Sequence, residues 1–135
     1  MNRLTQKHSL QRNGATTVEI AILLPVFFLL LIGAYDATRV NMLRHTAQAA
    51  AYEGARRGVV PGASRSEIEA ECRRIAASCG ARDIRIRISP SVIRKETPEI
   101  EVTVEIPLRS NTMIASPFFG SILLEGKTKF TRESL

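Results

Sequence analysis

An unbroken run of sixteen uncharged residues, Ile20 to Tyr35, constrains this chain more than any other feature it carries. As a helix the run spans about 24 Å, a little short of the roughly 30 Å hydrocarbon core of a bilayer. Counted from Ala15 it reaches 21 residues, long enough to cross, and then includes one carboxylate, Glu19. A charge inside a spanning helix costs roughly 2.5–3.5 kcal/mol on insertion scales, so its presence points to a function and to a partner. If the chain is cut between Gly14 and Ala15, the new α-amine of Ala15 lies one helical turn from Glu19, in the same subunit or facing a neighbour's. That amine is the obvious partner. Pro25 stands within the run, where it removes a backbone donor and crowds the carbonyl of Ala21. Neighbouring helices in a membrane can satisfy the freed group.

The flanks set an orientation. Arg3, Lys7 and Arg12 precede the run with no acid among them. Basic residues beside a membrane segment stay cytoplasmic, which predicts a single pass with residues 1–14 inside and a periplasmic or extracellular head. A secretory signal wants a small-x-small site after its apolar run, and Ile32-Gly33-Ala34 fits that poorly. No cysteine stands near the end of the run, which excludes a lipoprotein signal. A plain uncleaved anchor is the alternative, and it leaves Glu19 without a role.

Net charge is +6, but a mature chain starting at Ala15 carries 16 bases against 13 acids, a net of +3. Nucleic-acid binding would need a basic cluster on one face. The remaining arginines are scattered or alternate with apolar residues, so no nucleic-acid partner is expected. About 100 residues follow the apolar run, enough for one small core.

The chain divides into a leader over 1–14, a transmembrane segment over 15–35, a helical stem over 36–58 and a small α/β head over 59–135. Val40, Leu43, Ala47, Ala50 and Gly54 recur at helical spacing and make a narrow seam of mostly small residues. Either another helix or sheet approaches that seam, or the stem simply covers its own head. Gly58 and Pro61-Gly62 end the helix. Ser64-x-x-Glu67 resembles a capping box, with Ser66 as an alternative cap, and Gly80 is a stop. Between them Ile68, Cys72, Ile75 and Cys79 share a face.

Beyond Gly80 the period becomes two. Ile84, Ile86 and Ile88 alternate with arginines; Ile100, Val102, Val104 and Ile106 alternate with Glu101, Thr103 and Glu105. Paired, the Arg-rich and Glu-rich outer faces complement one another. Pro107 ends or bulges the second strand. A loop over 109–119 is expected to fold Met113, Ile114, Phe118 and Phe119 back on the core. A last strand follows over about 121–131, with a candidate bend at Gly126. The fold class is therefore α+β: a long N-terminal membrane-spanning helix, one further helix and a three-stranded antiparallel sheet.

Catalytic chemistry is not legible. His8 and His45 fall in different compartments, and no zinc spacing, phosphate-cradling loop or nucleophile elbow appears. Glu67 and Glu71, with Arg65 and Arg74 nearby, suit a solvated charged face. No enzyme, metal or cofactor is expected. The two cysteines have two readings. On a straight helix Cys72 and Cys79 lie about 10.5 Å apart by rise, beyond bridging distance. A disulfide therefore requires the helix to unwind before Cys79, and otherwise both are buried thiols.

Taken together these residues resemble a TadE-like pseudopilin of the tight-adherence (Tad/Flp) pilus system. The family's start is a basic leader, Gly, small residues, Val-Glu and an aliphatic run with a Leu-Pro step. Here it stands as Arg12-Asn13-Gly14-Ala15-Thr16-Thr17-Val18-Glu19 and Leu24-Pro25. Gly33, Asp36 and Arg39 match the Gly, acid and Arg that follow, and Glu53-Gly54-Ala55-Arg56 matches the end of an Ala-rich helix. Val102-Thr103-Val104, Pro107, Phe118-Phe119-Gly120 and Thr131-Arg132-Glu133 match in outline. Asp36 stands where Glu is usual, and Ala37-Thr38 where an aromatic and Gly are common. The resemblance implies a minor pilin or pseudopilin in the bacterial inner membrane, taking part in assembling or anchoring a pilus. It implies as partners other pilins, the assembly platform and a prepilin peptidase acting between Gly14 and Ala15. A type II secretion pseudopilin, or an uncleaved membrane-anchored adhesion or interaction protein, are the alternatives.

Overall fold

The structure is a computed structural model that describes residues 7–91, 99–113 and 121–131. The chain divides into two compact units, Met1–Tyr35 and Asp36–Leu135. A single helix, α1 (Lys7–Gly58), runs through Pro25 and supplies residues to both. The apolar run, which carries no charge to favour one helix face, is helical throughout.

In the second unit α1 is followed by α2 (Arg65–Ser78), β1 (Arg85–Ser89), β2 (Glu99–Pro107), a 3-10 turn (Leu108–Ser110) and β3 (Leu123–Thr131). Arg56 and Arg57 sit in the last turn of α1, where their charge complements the helix dipole. Of the two candidate caps for α2, Ser64 is the one used: its Oγ accepts from the Glu67 N–H at 3.3 Å. The helix ends in a Schellman motif. Gly80, at φ +63°, donates to Ala77 O at 2.9 Å, and Ala81 donates to Ala76 O at 3.0 Å.

The three strands form an antiparallel sheet in the order β1-β2-β3. Its inner face presents Ile100, Val102, Val104 and Ile106, all fully buried. Leu43, Ala47, Ala50, Ala51 and Ala55 of α1 and Ile68 and Cys72 of α2 complete the core. The small-residue seam thus covers the head's own sheet. Its size is what allows close approach: a side chain at Gly126 of β3 would collide with the backbone of Ala47 and Gln48. Strand pairing runs unbroken through Gly126, opposite Val104. Gln48 reinforces the contact by donating to Lys127 O at 3.3 Å, and Tyr52 meets Phe130 edge-on at 5.3 Å between centroids.

The outer face is a charge lattice of the kind the alternation predicts. Arg87 of β1 pairs with Glu105 of β2, and Lys127 and Lys129 of β3 pair with Glu101 at 3.0 Å and Glu99 at 2.6 Å.

One expectation about burial is corrected. Met113 does not fold back on the core but is 68 % exposed, because its backbone rather than its side chain is held. Ile86 is half-buried, since β1 is at one end of the strand order and has β2 on one side alone; Ile84, just before β1, is half-buried too. Ile114, Phe118 and Phe119 lie outside the described residues.

Candidate functional site

Within the first unit, Gly14, Ala15 and Glu19 lie along α1, and every residue from Gly14 to Leu31 is exposed. The apolar window here has a mean hydropathy of 2.4, and none of it is buried by the rest of the chain. Uncovered apolar surface of this extent marks a contact with a membrane or with other protein. A single apolar N-terminal helix of this kind fits a single-pass membrane anchor.

The glycines separate into two groups by what surrounds them. At Gly54 a side chain would overlap the Cys72 sulfur, and at Gly58 it would press on Ile68 and Ile100. At Gly14 and Gly33 a Cβ would meet nothing within 4 Å. The fold of this chain therefore makes no steric demand for glycine at 14. Gly14 instead lowers helix stability locally by roughly 0.5–1 kcal/mol relative to Ala, at the peptide bond joining it to Ala15.

Asp36 and Arg39, one turn apart on α1, fasten the second unit at the point where the apolar run ends. Asp36 is 5 % exposed, and its Oδ1 accepts from the Met113 N–H at 3.0 Å. Arg39 reaches the C-terminus of α2, where Nη1 donates to Cys79 O at 2.7 Å and Nη2 to Gly80 O at 2.8 Å. A guanidinium suits this place because it meets two orphan carbonyls at the negative end of the helix dipole. Sequence reasoning singled out both residues without finding this role. Their i, i+3 spacing is a signal that they share a face, but it does not say what that face meets.

The loops that Asp36 and Arg39 hold are also joined to each other. Asn111 accepts from the Arg82 N–H at 2.8 Å through Oδ1, and its Nδ2 donates to Arg82 O at 2.9 Å and Pro107 O at 2.8 Å. That single buried amide ties the α2–β1 connection to the end of β2.

Both cysteines are free thiols. Cys72 points into the α1–α2 contact and donates to Ala50 O at 3.3 Å, while Cys79, at the C-cap of α2, is partly exposed. Burial pushes the Cys72 thiol up to about 11. Cys72 lacks the electropositive, accessible setting of a reactive cysteine.

A shallow groove between the end of α1 and α2 is lined by Glu53, Arg56, Arg57, Glu67, Glu71 and Arg74. Its charges neutralise one another: Arg57 pairs with Glu67 at 3.2 Å, and Arg74 with Glu71 at 2.5 Å. The Arg74 hydrogen bond holds the Glu71 carboxyl below its ordinary range. These are solvated ion pairs, each contributing about 0–1 kcal/mol. Among the described residues no group of three or more His, Cys, Asp or Glu could hold a metal ion.

Residues 14–56 match the family model described as TadE-like protein. The match opens on Gly14, takes in Glu19, Asp36 and Arg39, and closes on Arg56, two residues before the end of α1. No curated protein and no solved structure matches the chain. Over residues 14–56, about a third of its length, the chain is similar to TadE-like proteins.

Proposed function

We propose that this protein is a pseudopilin or minor pilin of a Tad/Flp-type pilus, cut by a prepilin peptidase between Gly14 and Ala15. Residues 1–14 are then a cytoplasmic leader, residues 15–35 anchor the mature protein in the inner membrane, and the head lies on the periplasmic or extracellular side. Its work is assembly or anchoring through contact with other pilins and the assembly platform, without catalysis of its own.

The observation that carries this reading is the TadE-like match that begins on Gly14 itself. The steric openness around Gly14 supports it, because a glycine that the chain's own packing does not require is one that an outside reader can require. Its low helix propensity also eases the local unwinding that presenting this peptide bond to a peptidase demands. The basic residues Arg3, Lys7 and Arg12 support the orientation.

The test is the N-terminal sequence of the membrane-extracted protein after co-expression with a matching prepilin peptidase. The mature chain is expected to start at Ala15, and Gly14→Leu to leave it uncut. Protein intact from Met1, alongside a peptidase shown to be active on another prepilin, overturns the assignment.

A further inference from the structure

We propose that the Asp36 end of the head rests in the interfacial layer of the membrane, through an apolar patch formed by Met113, Ile122 and Leu123. The proposal rests on the membrane-anchor reading of residues 15–35 and goes beyond it.

The patch is assembled around one turn. Leu108 donates its N–H to Ile122 O at 3.1 Å, and its own carbonyl accepts from Thr112 N–H at 3.1 Å, next to Met113. Leu123 pairs with Pro107, the residue before that turn. Met113 is 68 % exposed, and Ile122 and Leu123 are each 42 % exposed.

This end differs from the rest of the sheet. Along the outer face, β3 presents Glu125, Lys127 and Lys129, and β2 presents Glu99, Glu101 and Glu105. Only the terminal row, Pro107 opposite Leu123, is apolar. Elsewhere among the described residues of the head the exposed large apolar side chains are already engaged or solitary. Tyr52 packs on Phe130, Met42 receives Arg39 Nη1 at 3.8 Å from its sulfur, and Val60 stands in the α1–α2 turn.

The occupant follows from the covalent chain. Asp36 binds the Met113 amide, and Asp36 is the residue immediately after Tyr35, where the 21-residue span from Ala15 ends. A helix of that length brings Asp36 to the edge of the hydrocarbon core. Met113 is then held at the headgroup level, where exposed apolar side chains are favourable and the charged remainder of the sheet is in water.

The chain contains no tryptophan, so single tryptophans report position directly. Full-length Leu30→Trp, Met113→Trp and Val60→Trp variants are reconstituted in phosphatidylcholine vesicles brominated on the acyl chains. Val60 lies past the far end of α1, about 33 Å of helix from Asp36. Leu30→Trp should be quenched most and Val60→Trp least. Met113→Trp should fall between them, with blue-shifted emission. The same ordering for a tryptophan at Leu123 supports the patch independently. Leu30→Trp quenched while Met113→Trp matches Val60→Trp overturns the inference and leaves the anchor standing. Emission from Met113→Trp that is blue-shifted yet unquenched puts protein, such as a second copy, on the patch and overturns the lipid assignment. Unquenched Leu30→Trp overturns the anchor itself and the inference with it.

Discussion

Gly54 of α1 lies against the thiol of Cys72 on α2 so closely that any side chain at 54 would overlap the sulfur. Ile68 and Val102 close the same spot at 3.5 Å from where a Cβ would be. The glycine of the Glu53-Gly54-Ala55-Arg56 segment is therefore a packing requirement, and it fixes how near the two helices stand. Gly54→Ala should lower stability by about 1–3 kcal/mol through overpacking. Cys72→Ala empties the space the new methyl needs, so the double variant should recover part of that loss. Urea unfolding of the micelle-solubilised chain measures the coupling, and strictly additive single effects would contradict this contact.

Arg39 supplies two charge-assisted hydrogen bonds to the end of α2. Arg39→Met keeps much of the apolar stem and removes both, for an expected loss of about 1.5–3 kcal/mol. Arg39→Lys should restore no more than part of it, since a compact ammonium does not reproduce the fork of a guanidinium. Hydrogen exchange at the Gly80 and Ala81 amides, which form the Schellman turn, should accelerate in Arg39→Met. Unchanged protection there would show that the turn stands without Arg39.

Local signals carried most of this fold. Ser64 and Gly80 bracket α2 as a cap and a left-handed stop should, and the period-two runs became β1 and β2 with complementary charges across the ladder. What the sequence hid was tertiary. The narrow seam at Val40, Leu43, Ala47, Ala50 and Gly54 widens to include Ala51 and Ala55, because α1 meets α2 as well as the sheet. Asp36 and Arg39 bind backbone atoms, and a backbone partner leaves no residue-type signature in the sequence. Met113 departs from its expected burial for the same reason: hydropathy marks an apolar side chain but not that its amide is the part being held.

Cys72 gives a pH dependence with a definite sign. Its thiol is raised to about 11 in the fold from an ordinary 9.0, chiefly by burial. Between those values the unfolded chain has lost the proton and the folded chain keeps it, so the unfolded state binds fewer protons and stability falls as pH rises. The contribution is complete below pH 9 and lost through about pH 11. Cys72→Ala should flatten that part of the profile. Under native conditions near pH 8, iodoacetamide should modify Cys79 well before Cys72, as peptide mapping would read. Equal rates would mean that the α1–α2 contact opens freely.

Glu19 belongs to the first compact unit, apart from the core of the head, so its removal should leave the head's stability unchanged. Its effect should appear after processing. On the proposed reading, cleavage after Gly14 would create an ammonium on Ala15 one turn away, and an unpaired carboxylate and ammonium at a membrane boundary are each unfavourable. Pairing them, within one stem or between neighbouring stems, would let the helix dock among other pilin helices. Glu19→Gln keeps the size and a hydrogen-bonding oxygen while removing the charge. Membrane insertion should persist, and so should cleavage, because the peptidase implied by the family resemblance reads mainly the small residue before the cut. Pilus assembly, or co-purification with partner pilins, should fall. Gly14→Leu should do the reverse and block cleavage first, with the head again intact because the space around residue 14 is open. Normal pilus levels in a Glu19→Gln strain would reduce Glu19 to a tolerated boundary residue and remove the amine-pairing mechanism.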